Sequence, residues 1–214
     1  MTRVETAQNA IRKGGIIAIV RGDYSVNEIL HCAKILLNST IHILEVTLNS
    51  ATVLEAIPAL RRRFDGELLI GAGTVRTVDL ARGAHNAGAE FLVAPNFDLE
   101  TVQFAQSNDL LHIPGVFTGT EAQTAYAAGC TMLKLFPADI VGPAYLKALR
   151  APLNDIEFIP TGGVSLQNIT DYARAGAVAV GLGSQLISKR NEPAGELSER
   201  ALALRKAWQA GQHG

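Results

Sequence analysis

Two ionisable residues stand inside apolar runs of this sequence: Lys134 in TMLKLFPAD (131–139) and Glu45 in HILEVTL (42–48). Taking either charge out of water costs several kcal/mol unless it is paired, reaches solvent or is neutralised. A lysine can lay its stem along the protein and keep its head wet, and the glutamate can pair with Lys134 or Arg21. The other reading is chemical. Desolvation lowers an amine's pKa and yields the free base that attacks a ketone to form an imine. That imine is an electron sink, able to stabilise the carbanion left when a neighbouring carbon–carbon bond breaks. A carboxyl beside it can carry protons to and from the carbinolamine and take the proton of a substrate hydroxyl.

Two glycine pairs add a third element. PTGG (160–163) is followed by SLQNI, and GLGS (181–184) by QLIS. Each reads as a strand end, a loop of bare amides and the start of a helix. Glycine lets backbone amides approach an anion, and a helix N-terminus adds a favourable dipole. The histidines at 31, 42, 85, 112 and 213 form no helical pair and join no Asp, Glu or Cys at a ligand spacing. A metal-dependent aldolase is therefore disfavoured, and no metal or other cofactor is called for. Neither a Gly-x-Ser-x-Gly nucleophile motif nor a P-loop occurs.

These residues need elements to hold them. Apolar runs at 16–20, 43–48, 68–72, 91–94, 111–114, 132–136, 157–160 and 178–181 predict strands, unbroken enough to be covered on both faces. Amphipathic stretches alternate with them, among them 25–37, 51–63, 78–87 and 99–107. Ser25, Ser50, Thr77, Asp98 and Ser165 precede helical patterns as candidate caps, and Gly88, Gly129 and Gly176 follow them as stops. The units recur roughly every 20 to 26 residues, the spacing of a (β/α)8 TIM barrel. An open doubly wound sheet is the alternative, weakened by the absence of Gly-x-Gly-x-x-Gly after any strand. An additional N-terminal helix, 4–13, would lie outside the barrel or close its bottom. The expectation is a single domain over 1–214, with the barrel at 16–187 and a polar tail at 188–214 holding one helix near 197–210.

In a barrel the C-terminal strand ends converge on one mouth. The first strand ends in Arg21, the second carries Glu45 and Thr47, and the third ends at Thr74. The fourth ends at Pro95-Asn96, and the sixth holds Lys134 and closes with Phe136-Pro137. The last two end in the glycine pairs.

Composition narrows the partners. With 19 basic and 20 acidic residues in 214, no global field draws the chain to nucleic acid or a membrane surface. Cys32 and Cys130 are too few for a disulfide framework and read as buried thiols of a reducing compartment. The charged N-terminus lacks a signal peptide's apolar core, so a cytoplasmic location is expected.

The motifs IVR, EVTL, GAGTV, the Pro95 strand end, IPG, KLFPA, PTGG and GLGS together resemble the 2-keto-3-deoxy-6-phosphogluconate (KDPG) and 4-hydroxy-2-oxoglutarate (KHG) aldolase family from about Ile16 to Ile187. These are class I, Schiff-base enzymes on a (β/α)8 barrel. The resemblance implies that Lys134 forms the imine and Glu45 is the general acid/base. It implies that Arg21 and Thr74 hold the pyruvate carboxylate, with Phe136 and Pro95 walling the pocket. Gly162, Gly163, Gly183 and Ser184 would bind the 6-phosphate. A homotrimer is implied as well, with a phosphorylated 2-keto-3-deoxy sugar acid and pyruvate as small-molecule partners.

One position departs from the pattern. Asn49 stands where many gluconate-type members resembling this chain carry arginine, which gives Arg21 more of the carboxylate's anchoring. The galactonate branch resembles this chain in LNS, Pro95-Asn96 and VGPAYLKAL, yet tends to carry valine at the position of Thr161, which should lie near the sugar C4 hydroxyl. The reading prefers the gluconate epimer. Alternatives are a 2-dehydro-3-deoxy-6-phosphogalactonate aldolase, a sugar-phosphate isomerase or epimerase using Lys134 only as a charge, or a non-catalytic phosphate sensor.

Overall fold

The structure, a computed structural model, describes residues 1–49 and 52–212. Ser50, expected to cap a helix, and His213 lie outside the described residues. The apolar runs form parallel strands β1 (Ile16–Val20), β2 (Ile43–Thr47), β3 (Leu69–Gly73), β4 (Phe91–Val93), β5 (Leu111–Ile113), β6 (Gly115–Val116), β7 (Met132–Leu135), β8 (Glu157–Pro160) and β9 (Val180–Leu182). Helices α1 (Arg3–Gly14), α2 (Val26–Asn38), α3 (Val53–Phe64), α4 (Val78–Asn86), α5 (Leu99–Ser107), α6 (Gly119–Ala127), α7 (Gly142–Arg150), α8 (Ile169–Arg174) and α9 (Ala194–Gln212) intervene.

The strands make a curled parallel sheet in two hydrogen-bonded arcs, β5-β4-β3-β2-β1-β9 and β6-β7-β8. The arcs meet at one seam through a single parallel bridge, Thr161 to Gly181, and the Val178 amide donating to the Phe158 carbonyl at 3.1 Å. At the other seam the chain passes from β5 to β6 through Pro114, which has no N–H to donate to a ladder. This corrects the expectation of eight uninterrupted strands: the fifth is divided, and its halves serve different arcs.

Strand alternation sorts the buried side chains into two cores. One set, with Leu44, Val46, Leu133 and Leu135 among its members, packs outward against the helices. The other set points inward and includes Ile17, Ile19, Ile43, Phe91, Leu111, Met132 and Ile159. Ala7 and Ile11 of α1 join the inner set, so α1 closes the bottom of the curled sheet. A forked ion pair from Arg12 to Glu157, at 2.7 and 2.9 Å, ties α1 to β8.

The caps follow the sequence in part. Ser25, Thr77 and Asp98 each accept the backbone amide three residues on, and Gly88, Gly129 and Gly176 adopt φ of 96, 91 and 89°. Ser165 does not cap: it opens a turn, and α8 begins only at Ile169. After GLGS a turn forms in place of the expected helix. Helix α9 is longer than expected and buries Leu197, Ala201, Leu204 and Trp208 in the outer core. Among the described residues no helix is long and apolar enough to cross a membrane.

Candidate active site

Glu45 and Lys134 belong to the inward-facing positions of β2 and β7, two residues above Ile43 and Met132 of the apolar plug. They are 2% and 3% exposed, and no ion pair within 4.0 Å engages either among the described residues. The register accounts for the space around them. Glu45 lies level with Ile19 on one side and Gly71 on the other. A Cβ on Gly73 would overlap the Glu45 carboxyl, so the carboxyl rests where a side chain at 73 would stand. Lys134 pairs with Gly115, where a Cβ would strike the Pro95 carbonyl. Its Nζ lies over the Phe136 ring, 4.6 Å from the centroid.

Burial moves both groups toward neutrality. It lowers the Lys134 amine below its ordinary value, opposed by the Glu45 charge and aided by Arg21. It raises the Glu45 carboxyl, opposed by the charges of Lys134 and Arg21. A neutral amine beside a carboxyl able to hold a proton is the pairing that carbinolamine chemistry needs.

A cavity of about 260 Å³ opens above, lined by Arg21, Phe136, Thr161, Gly162, Gly163, Gly183 and Ser184 from the predicted set. The other four predicted residues do not line it. Lys134 adjoins it through the Phe136 ring, and Glu45 through its β1 neighbour Ile19, itself a lining residue. Thr74 follows Gly73 with φ 62°, a conformation uncommon for a β-branched residue. Pro95 packs over β6. Asn49 is exposed just past β2.

The two glycine loops differ. Gly162 and Gly163 need φ of 92 and 69°, which glycine adopts without strain. At Gly183 neither a left-handed φ nor a neighbour within 4 Å requires a glycine; the missing side chain simply keeps the cavity open there. Among the described residues the amides of Gly163, Val164 and Ser184 donate to no protein acceptor, leaving N–H groups for an anion. Because no helix starts directly at either loop, the helix dipole expected from the sequence is replaced by these free amides.

Sequence reasoning missed Tyr24, Gln185 and Ser188, which also line the cavity. Tyr24 is 7% exposed, and burial raises its hydroxyl pKa. Its place in RGDYS, just past the first strand, was the available signal.

Comparison with known proteins accords with this geometry. The model of the KDPG and KHG aldolase family matches residues 7–199. A probable 2-dehydro-3-deoxy-6-phosphogalactonate aldolase of Rhizobium meliloti is 37% identical over 91% of this chain and 92% of its own. A 2-dehydro-3-deoxy-phosphogluconate aldolase of Pseudomonas aeruginosa is 41% identical over 75% and 73%. The crystal structure of a Legionella pneumophila KDPG aldolase, with pyruvate captured as a covalent carbinolamine, superposes with TM-score 0.81 at 28% identity, covering 95% and 97%. The chain belongs to the KDPG and KHG aldolase family.

Proposed function

We propose that the protein cleaves 2-keto-3-deoxy-6-phosphogluconate to pyruvate and D-glyceraldehyde 3-phosphate, and 4-hydroxy-2-oxoglutarate to pyruvate and glyoxylate. The observation that carries this reading is the placement of Lys134 and Glu45 on one inner face, buried and without a direct ion pair, beneath a cavity edged by free amides. Lys134 in its neutral form adds to the C2 carbonyl of the substrate. Glu45 delivers the proton that lets the carbinolamine oxygen leave as water, giving the iminium. Glu45, now a carboxylate, takes the C4 hydroxyl proton. The C3–C4 electron pair passes into the iminium to form an enamine, and the aldehyde departs. Protonation at C3 and hydrolysis return pyruvate and the free amine.

Arg21 and Thr74 are assigned to the pyruvyl carboxylate, Phe136 and Pro95 to the pocket wall, and Gly162, Gly163, Gly183 and Ser184 to the phosphate. Thr161 is assigned to the sugar's C4 side. The two arcs are read as one (β/α)8 barrel in a single domain that includes α9, and the protein as a homotrimer of cytoplasmic location. Borohydride reduction in the presence of pyruvate is expected to add one pyruvyl group to Lys134; an unmodified lysine would overturn the mechanism. The R. meliloti relative supports a second reading, cleavage of the galactonate epimer. Pyruvate release from the two C4 epimers, assayed side by side, decides between them.

A further inference from the structure

A polar network that takes no part in the proposed chemistry joins α9 to the loop after β9, touching the cavity only at Ser188. The loop turns on Gly183, whose carbonyl accepts the amides of Leu186 at 2.8 Å and Ile187 at 2.9 Å. Leu186 and Ile187 are buried, and Gly183, Ser184 and Ile187 line the cavity. Arg200 on α9 donates from Nε to the Leu186 carbonyl at 2.7 Å and from Nη2 to Glu192 Oε2. That same carboxyl oxygen accepts the Ser188 hydroxyl at 3.1 Å. One guanidinium and one carboxylate therefore hold the loop at two points, residues 186 and 188, on either side of buried Ile187.

Glu192 is 5% exposed, and its Oε1 has no hydrogen-bond partner among the described residues. A carboxylate so buried is costly, and its retention here goes with the fork geometry that a single ammonium cannot supply. A loop that binds an anion through backbone amides works only if those amides are already aimed, because ordering the loop would otherwise weaken binding.

We infer that Arg200 and Glu192 are positioning residues for the anion-binding loop Gly183–Ser188, setting affinity for the phosphoryl end of the substrate and not the rate of bond cleavage. The inference rests on the proposed function for the identity of the anion, but its geometry does not depend on Lys134. Substituting Arg200→Lys keeps the charge and loses the two-point fork. The expected result is a rise of about tenfold in KM for the phosphorylated sugar acid with kcat within about twofold. Turnover of unphosphorylated 4-hydroxy-2-oxoglutarate should stay within about twofold. Glu192→Gln, which keeps an oxygen acceptor, should give a smaller rise of about threefold, and it reads the same network should Arg200→Lys fail to fold.

Binding of inorganic phosphate, titrated calorimetrically, follows the loop without turnover and should weaken in parallel. Equal losses on both substrates, or unchanged phosphate binding, would overturn the inference. Wild-type protein that binds phosphate but traps no pyruvate would instead remove the aldolase reading and leave this one standing.

Discussion

The Lys134 Nζ lies over the Phe136 ring, and that ring also walls the cavity above it. The contact solves the difficulty of a charge inside an apolar strand without an ion pair. The ring face stabilises the protonated amine by about 0.5–2 kcal/mol, while burial pulls its pKa down. The amine is held at the boundary between plug and cavity, where a carbonyl can reach it.

Replacing Lys134 with methionine should separate chemistry from stability. The side chains are similar in length, and methionine suits an apolar inner face. Activity and pyruvate trapping are expected to vanish, with kcat falling at least about 1,000-fold. Stability at pH 7 should rise by about 1–2 kcal/mol as an unpaired, desolvated polar group is removed, read from denaturant midpoints at constant m. A loss of stability would show that the lysine serves the fold.

Gly73→Ala and Gly183→Ala form a contrasting pair. A Cβ at 73 overlaps the Glu45 carboxyl, whereas one at 183 meets nothing within 4 Å. The first should cost about 1–3 kcal/mol of stability and, by displacing the acid, about 100-fold in kcat. The second should leave stability within about 0.5 kcal/mol and weaken phosphate binding alone. Thermal unfolding and steady-state kinetics on the two variants check both halves, and similar behaviour of the pair would refute the placement.

How much of this was legible in the residues follows from the range of the interactions. Strand period and strand ends are local, so Lys134, Glu45 and the glycine pairs could be set at one mouth from spacing alone. The division of the fifth strand could not be seen, because Pro114 breaks the ladder only when its neighbours on each side belong to different arcs. Tyr24 was hidden because a tyrosine after a strand is ordinary until the turn carries it over the cavity. The stripe Leu197, Ala201, Leu204 and Trp208 is thinly spread among polar residues, and its meaning depends on α8 and α2 lying beneath it. The Ser188–Glu192–Arg200 network joins a loop to a helix and has no motif at all.

His112 should give the protein an acid-sensitive stability. Strand β5 turns this ring outward, both nitrogens lack partners among the described residues, and a cavity of about 70 Å³ lies beside it. Burial lowers its pKa to about 4, with Asp98 opposing. The unfolded chain, with an ordinary value near 6.5, then binds the proton more readily, so stability is full above about pH 6.5 and falls as pH drops toward 4. The depression corresponds to about 3 kcal/mol over that window. Burial-matched His112→Leu should flatten the pH dependence between about 4 and 6.5, measured by urea unfolding. An unchanged slope would assign the acid sensitivity elsewhere.

Thr161→Val bears on which epimer the site accepts. Thr161 is 6% exposed at the cavity edge, and its hydroxyl donates to the Ile159 carbonyl at 3.3 Å. Its side chain also fills the space over Gly181, where a Cβ would overlap it. Valine keeps that volume, so packing is retained and the cost of the lost hydrogen bond is about 1 kcal/mol. What changes is the polarity presented to the cavity, which under the proposed assignment faces the sugar's C4 hydroxyl. A site that offers a hydroxyl can orient one epimer by hydrogen bonding, and a methyl removes that preference without creating a new partner. The ratio of kcat/KM for the gluconate epimer over the galactonate epimer is therefore expected to fall by about threefold to tenfold. The fall should come from the gluconate side, since the galactonate epimer loses no contact. If both epimers slow equally, the residue shapes the cavity without reading C4, and discrimination must lie with Arg21, Tyr24 or the chain around Asn49.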